Sequence, residues 1–363
     1  MQTAPRFPEV FSKAALAIGI AILLSFFVRH ADASPLIVYT YDSLTAKEGL
    51  GPILKAAYKK KTGDEITFVT VGDAGQLLSR LQLDLERGKP KAHVVLGIDQ
   101  NLFLKVKDLL LPLDRSREGG FMKFVDREWW LGEAFVPYDF GVFAFVADTK
   151  KLPVADFPAT WKGLLKGRFK KSLLLEDPRT SSPGLAFVLG SEAATRGKDD
   201  ESSHEAFKDF WKDLKSQWVT LAPGWSQAYG MFTKGEAPLV WSYVSSEAYH
   251  RTECEKTKCA EPDRYRALVF DDGNPVQIEG AGILKDAPGG ATMRKHSLEF
   301  MEILTSEAVQ KQIPETQWMM PVRLGVKLPV AFQSLPTAKK KFTPEFDREK
   351  VDGILDRWNA AVR

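Results

Sequence analysis

Rings, hydroxyls and carboxylates gather where the segments of this chain end. Tyr39 and Tyr41 close one apolar run; Trp225 and Tyr229 fall in PGWSQAYGMF; Trp241, Tyr243, Ser245, Ser246 and Tyr249 fall in WSYVSSEAYH; Trp318 falls in ETQWMMPV. Each ring alone is ordinary core material, because aromatic side chains are the usual source of buried packing area. Together with Asp42 and Asp73 they predict a cleft for a flat cationic molecule, held by ring faces and a carboxylate. A second stretch, EDPRTSSPGLAFVL over residues 176–189, sets Arg179, Thr180, Ser181 and Ser182 ahead of an apolar run. Ser182 before Pro183 reads as an N-cap with proline at the first helical position. The free N–H groups and partial positive charge of such a helix start suit an anion.

Catalytic signatures are missing. There is no P-loop and no G-x-G-x-x-G, and GWSQA at 224–228 has Ala228 where a nucleophile elbow needs glycine. The histidines are dispersed, and Glu247 with His250 at i, i+3 is more often a surface contact than a metal site. No catalytic or metal-ligating set is therefore assigned. Cys254 and Cys259, in CEKTKC, are the only cysteines. In an oxidising compartment an even count favours a local disulfide, worth about 2 kcal/mol for so small a loop. The formal charge of +3 is small for 363 residues, and the runs at 59–61 and 339–341 are short. They read as solvated faces, and nucleic acid is not an expected partner.

The elements that must position these groups follow from periodicity. LIVYTY (36–41), EITFVTV (65–71) and HVVLGI (93–98) read as strands. They are separated by amphipathic helices over 50–63 and 74–88, the pattern of a parallel doubly wound sheet. Ligands in such sheets sit beyond the carboxyl ends of the strands, here at Tyr41-Asp42-Ser43, Gly72-Asp73 and Gly97-Ile98-Asp99. Residues 135–149 form a β-rich crossing into a second α/β set, and residues 265–284 form the return. At the front, Arg6 and Lys13 precede an apolar run over 14–28 and then Ala31-Asp32-Ala33. That is a cleavable export signal over 1–33, with cleavage after Ala33 and no cysteine behind it for a lipid anchor. The remaining length exceeds what one core usually serves, so two lobes are expected.

VYTYDS, LLSRL, HVVLGID, FVPYDFGVFAFV, DPRTSSPGL, GWSQAYGMF, WSYVSSEAYH and WMMPV stand in the order and approximate spacing of the periplasmic thiamine-binding proteins of thiamine ABC transporters. From about residue 35 to the end, the chain resembles that family. The resemblance implies a two-lobed type II periplasmic binding protein fold, α/β in class. Each lobe would be a doubly wound, mainly parallel sheet flanked by helices, with the ligand cleft between lobes. It implies lobe 1 over 34–139, lobe 2 over 140–272, a return to lobe 1 over 273–320, and a C-terminal helical segment over 321–363 packing mainly on lobe 2. Closure would hinge near 135–142 and 268–277. The implied function is periplasmic capture of thiamine, thiamine monophosphate or thiamine diphosphate and delivery to a membrane permease, by a monomer that is not an enzyme and uses no cofactor.

Carried across residue by residue, the resemblance points to Gly72, Asp73, Ser181, Ser182, Trp225, Tyr243, Val244, Ser245 and Ser246 as ligand contacts, with Tyr41 and Trp318 added by their motif positions. Asp73 also suits an N-cap for the helix at Ala74. Two positions depart from the family pattern. One carboxylate is missing at Gly72-Asp73, and Ala46-Lys47-Glu48-Gly49 stands where the family carries an aromatic. Ferric-ion capture uses clustered tyrosines, and no two are adjacent here; polyamine capture wants several carboxylates along the cleft. A thiamine-degrading transferase on the same scaffold needs a cleft thiolate, which a Cys254–Cys259 pair would not supply.

Overall fold

Strand–helix alternation in the first hundred residues sets the frame. The computed structural model describes residues 34–88, 90–114, 119–343 and 347–363. The export-signal reading over 1–33 lies outside the described residues. Leu36–Arg363 forms one compact unit. In it β1 (Leu36–Thr40) pairs in parallel with β2 (Ile66–Thr70) and with β3 (Val94–Asp99). Between β1 and β2 runs α1 (Leu50–Thr62); between β2 and β3 runs α2 (Ala74–Glu86). Helix α2 buries Leu77, Leu78 and Leu81 along one face, the spacing of an amphipathic helix against a sheet. Its start is a reciprocal cap: Ala74 N–H donates to the Asp73 carboxylate at 2.7 Å, and Asp73 N–H donates to Gln76 Oε1 at 2.9 Å. Asp99 caps α3 (Gln100–Val106), accepting from Asn101 and Leu102 N–H at 2.8 Å each.

One long strand serves both lobes. The first half of β4 (Val136–Asp148) pairs antiparallel with β9 (Asn274–Ile283). From Phe143 onward it pairs with β7 (Leu239–Tyr243) and β8 (Tyr265–Leu268). The second lobe adds β5 (Leu173–Glu176), parallel to both β7 and β6 (Trp218–Ala222). Around it lie α4 (Ser182–Thr195), α5 (Asp200–Leu214), α6 (Trp225–Thr233) and α7 (Ser246–Thr257). The full order is β2-β1-β3-β9-β4-β7-β5-β6. Each lobe is therefore a mixed sheet: a parallel core of three strands, with antiparallel pairs contributed by the crossing strands. Strand β6 is one that the sequence reading does not assign; it is a half-buried edge whose Trp-Val-Thr-Leu pattern is too short to stand out.

Packing around the second lobe is aromatic. Trp241 meets Phe187 at 5.0 Å and Trp161 at 5.6 Å between ring centres, and its Nε1 donates to Pro183 O at 3.0 Å. After α8 (Gly290–Leu304), the chain ends in α9 (Arg348–Val362), which lies on α5, α4 and α3 and sets Trp358 edge-on to Trp211. Cys254 and Cys259 are bonded at the far end of α7. Among the described residues, no helix is long and apolar enough to cross a membrane.

Candidate functional site

The strand ends and crossing strands enclose a cavity of about 420 Å³, within the range of small-molecule sites. Tyr41 and Asp42 reach it from the end of β1, Gly72 and Asp73 from the end of β2, Trp225 and Tyr229 from α6, and Tyr243 from the end of β7. Ser246 and Tyr249 come from α7, Gln277 and Glu279 from β9, and Gln317 with Trp318 from the connection before β10 (Met320–Pro321). Among the described residues, the wall thus holds six aromatic rings and four carboxylates (Asp42, Glu48, Asp73, Glu279), and no lysine, arginine or histidine. Such a wall favours a flat cation over an anion.

The rings are held by what lies behind them. Trp225 stacks on Tyr229 at 4.8 Å and 27°, and its Nε1 donates to Ser242 Oγ at 2.9 Å, which in turn meets Ser246 Oγ at 2.9 Å. The Tyr229 hydroxyl lies 2.9 Å from His250 Nε2, and His250 stacks on Tyr265 at 3.9 Å. Burial holds His250 down at about 4, so it is neutral at physiological pH. Trp318 adopts φ +54°, the left-handed region that costs a bulky residue about 1–3 kcal/mol. Phe332 parallel to its ring and Tyr249 edge-on hold it there.

Asp73 joins the lobes. Besides capping α2 it accepts the Trp225 N–H of the other lobe at 2.9 Å, and Ser181 lies beside it. Burial raises its pKa, and the Trp225 and Ala74 N–H groups oppose that rise. Two residues on, Gly75 touches Thr180: a Cβ there would stand 2.6 Å from the Thr180 carbonyl carbon, so only glycine permits this approach. The lobes are in contact across the cleft, a closed arrangement.

At the cleft floor Glu279 is 7% exposed and accepts from Tyr41 and Tyr138 hydroxyls at 3.1 Å each and from Gln277 Nε2 at 3.1 Å. Tyr243 donates to Gln277 Oε1 at 2.6 Å, and Gln317 Nε2 donates to the Tyr41 hydroxyl at 2.7 Å. Gly97, at φ +91°, leaves room for the Tyr41 ring, which a Cβ would meet at 2.1 Å.

A family model for bacterial extracellular solute-binding proteins matches residues 54–340. The chain belongs to that family. A thiamine-binding periplasmic protein of Brucella abortus biovar 1 (strain 9-941) is 38% identical over 90% of this chain and 92% of its own length. One of Escherichia coli (strain K12) is 34% identical over 90% and 93%. A solved structure named periplasmic thiamin binding protein superposes with a TM-score of 0.76 at 32% identity, covering 90% of this chain and 96% of that one.

In this solute-binding protein Tyr41, Gly72, Asp73, Ser182, Trp225, Tyr243, Ser246 and Trp318 line the cavity. Ser181, Val244 and Ser245 do not. Ser181, rather than Ser182, is the N-cap of α4, so the helix begins one residue early and Pro183 sits at its second position. The Ser181 side chain is buried behind the wall. Val244 packs with Ala144 and Ala267, and Ser245 is buried in the turn that opens α7. Arg179 is turned away, paired with Asp177 and set over the Trp358 ring; Thr180 donates to Pro223 O at 2.7 Å. Glu48, in the Ala46-Lys47-Glu48-Gly49 stretch, reaches the cavity rim. Glu247 is spent on Ala267 N–H, Arg251 and Arg266, not on a metal. Sequence reading missed Gln277, Glu279 and Gln317. Glu279 had one visible signal: a lone acid in NPVQIEGAGI, an otherwise uncharged strand.

Proposed function

We propose that this chain captures thiamine in the cavity between its lobes, closes on it, and delivers it to an ABC permease without converting it. The carrying observation is the wall of six rings and four carboxylates with no basic side chain. Thiamine is flat, heteroaromatic and permanently cationic, so ring faces and carboxylates meet its two main features. Relatives named for thiamine, at 38% and 34% identity over nearly the whole chain, support the same reading. Thiamine monophosphate and diphosphate enter by the same cation; with no basic group on the wall, the hydroxyls of Ser226 and Ser246 meet the phosphate beside the starts of α6 and α7. The protein acts as a monomer in the periplasm, exported by the segment over 1–33 and cleaved after Ala33.

Closure follows from the contacts that exist only when the lobes meet, Asp73 with Trp225 and Gly75 with Thr180. The lobes swing about the crossings near 135–142 and 268–277, a reading that the change of β4 partner after Val142 supports. The four carboxylates also suit a polyamine, which lacks a ring to stack. Isothermal titration with thiamine, its two phosphates, spermidine and ferric ion separates the readings: thiamine should release saturable heat at the lowest concentration. A preference for spermidine would replace this reading with polyamine capture.

A further inference from the structure

The cleft floor carries a second carboxyl behind the first. Asp139 on β4 and Glu279 on β9 are direct register partners, and the pairing slips between Pro137 and Asp139. Successive residues of a regular strand point to opposite faces. The bulge breaks that rule, so that Tyr138 and Asp139 both reach Glu279. Glu279 faces the cavity, while Asp139 is wholly buried behind it.

The hydrogen bonds decide which acid holds the proton. Glu279 accepts from two tyrosine hydroxyls and one amide, and donates to none of them. That is the environment of an ionised carboxylate. Asp139 has no hydroxyl, amide or cation as partner; the polar group beside it is the Glu279 carboxylate. Two buried carboxylates in contact cannot both ionise, so Asp139 keeps a proton and donates it to Glu279.

The charged and titratable groups facing the pair are Tyr41 at the end of β1, Tyr138 on β4, Tyr243 on β7 and Asp99 at the end of β3. Asp73 and Glu176 stand farther out, next to Tyr243. None is basic. Burial first, and then the neighbouring carboxylate, keeps Asp139 well above the usual carboxyl range. Burial raises Glu279 to about 7, and burial keeps the tyrosines protonated as donors.

We infer that Asp139 and Glu279 act as a one-proton acid pair that places a single fixed negative charge on the cavity floor. Glu279 is thereby the residue that selects a cationic ring over a neutral ring of the same shape, and Asp139 is its positioning residue. This rests on the thiamine reading. It adds to it a source of charge discrimination and a pH dependence. When the pH falls through about 7 the pair takes up a second proton and loses its charge. A bound cation must then expel that proton, so affinity falls by up to about tenfold per pH unit. Above that range it is flat.

The test compares thiamine with an uncharged analogue whose thiazolium is replaced by a thiophene ring, titrated by calorimetry near pH 8 and pH 6. Wild-type protein should bind thiamine about tenfold more weakly at the lower pH, and the analogue weakly and without pH dependence. Glu279→Gln should reduce the preference for the cation and lose its pH dependence. Asp139→Asn, whose amide is a weaker donor to Glu279 than a carboxyl O–H, should shift the pH dependence to higher pH. An unchanged ratio of thiamine to analogue in folded Glu279→Gln overturns the inference while leaving thiamine capture standing. Failure of wild-type protein to bind thiamine defeats capture instead. In that event infrared spectroscopy of the unliganded protein still judges the pair. A protonated carboxyl band should be present near pH 7.5 and diminished in Asp139→Asn, and equal bands in both proteins overturn the shared proton.

Discussion

Gly75→Ala separates closure from stability. The substituted methyl would stand 2.6 Å from the Thr180 carbonyl carbon and 2.7 Å from its oxygen. Both are backbone atoms that no rotamer change can move. Restoring ordinary contact at about 3.4 Å parts the lobes by about 0.8 Å at this point. The Trp225 N–H to Asp73 bond, 2.9 Å long and two residues away, then opens to roughly 3.7 Å and is lost. A hydrogen bond to a charged acceptor contributes about 1.5–3 kcal/mol, so ligand affinity should fall about 10- to 100-fold. In the open form the methyl meets nothing from the other lobe, and alanine is the better helix former by up to about 1 kcal/mol. The unliganded melting temperature should therefore hold or rise slightly. Calorimetry gives the affinity, and small-angle scattering with saturating thiamine gives the compaction, which the variant should show only in part. A variant that binds and compacts like wild type would refute the role given to this contact.

Asp73→Asn keeps an N-cap acceptor but not the charge; it should leave the unliganded melt nearly unchanged and weaken thiamine about tenfold by calorimetry. Glu279 has its folded pKa raised from 4.5 to about 7. Its contribution to stability is full below about pH 4.5 and lost as pH rises through about 7. The melting temperature of wild type minus that of Glu279→Gln should therefore fall over that window, and a flat difference would contradict it. His250 runs the other way, lowered from 6.5 to about 4 by burial; stability is present above about 6.5 and lost as pH falls toward 4, a loss that melts of His250→Gln should lack. Reducing Cys254–Cys259 should lower the melting temperature by a few degrees, for about 2 kcal/mol, and leave thiamine affinity within about twofold. Ser226→Ala should weaken thiamine diphosphate more than thiamine in the same titrations; equal losses would make Ser226 only part of a helix start.

The first lobe was legible because its strands and helices are local and strongly patterned. Asp73 read correctly as a cap from Ala74 onward, and the paired cysteines read correctly from their count and spacing. The aromatic motifs at segment ends located most of the wall. Three kinds of feature were not legible. The one-residue shift from Ser182 to Ser181 at α4 reflects two adjacent hydroxyls that cap equally well. The outward turn of Arg179 depends on Asp177 and Trp358, and Trp358 belongs to a helix at the far end of the chain. Glu279 meets Tyr41 and Tyr138 across 238 and 141 residues, through a bulge that alternation does not foresee. Side chains joined by crossing strands show no spacing in the sequence.

Capture of thiamine by its positive charge and its rings is the role proposed for the cavity between the lobes. Calorimetric titration of refolded, ligand-stripped protein with thiamine near pH 8 tests it most directly. Saturable binding of one thiamine per chain is expected, far stronger than binding of the uncharged thiophene analogue. Folded protein that gives no heat with thiamine, or that binds both molecules equally, would contradict it.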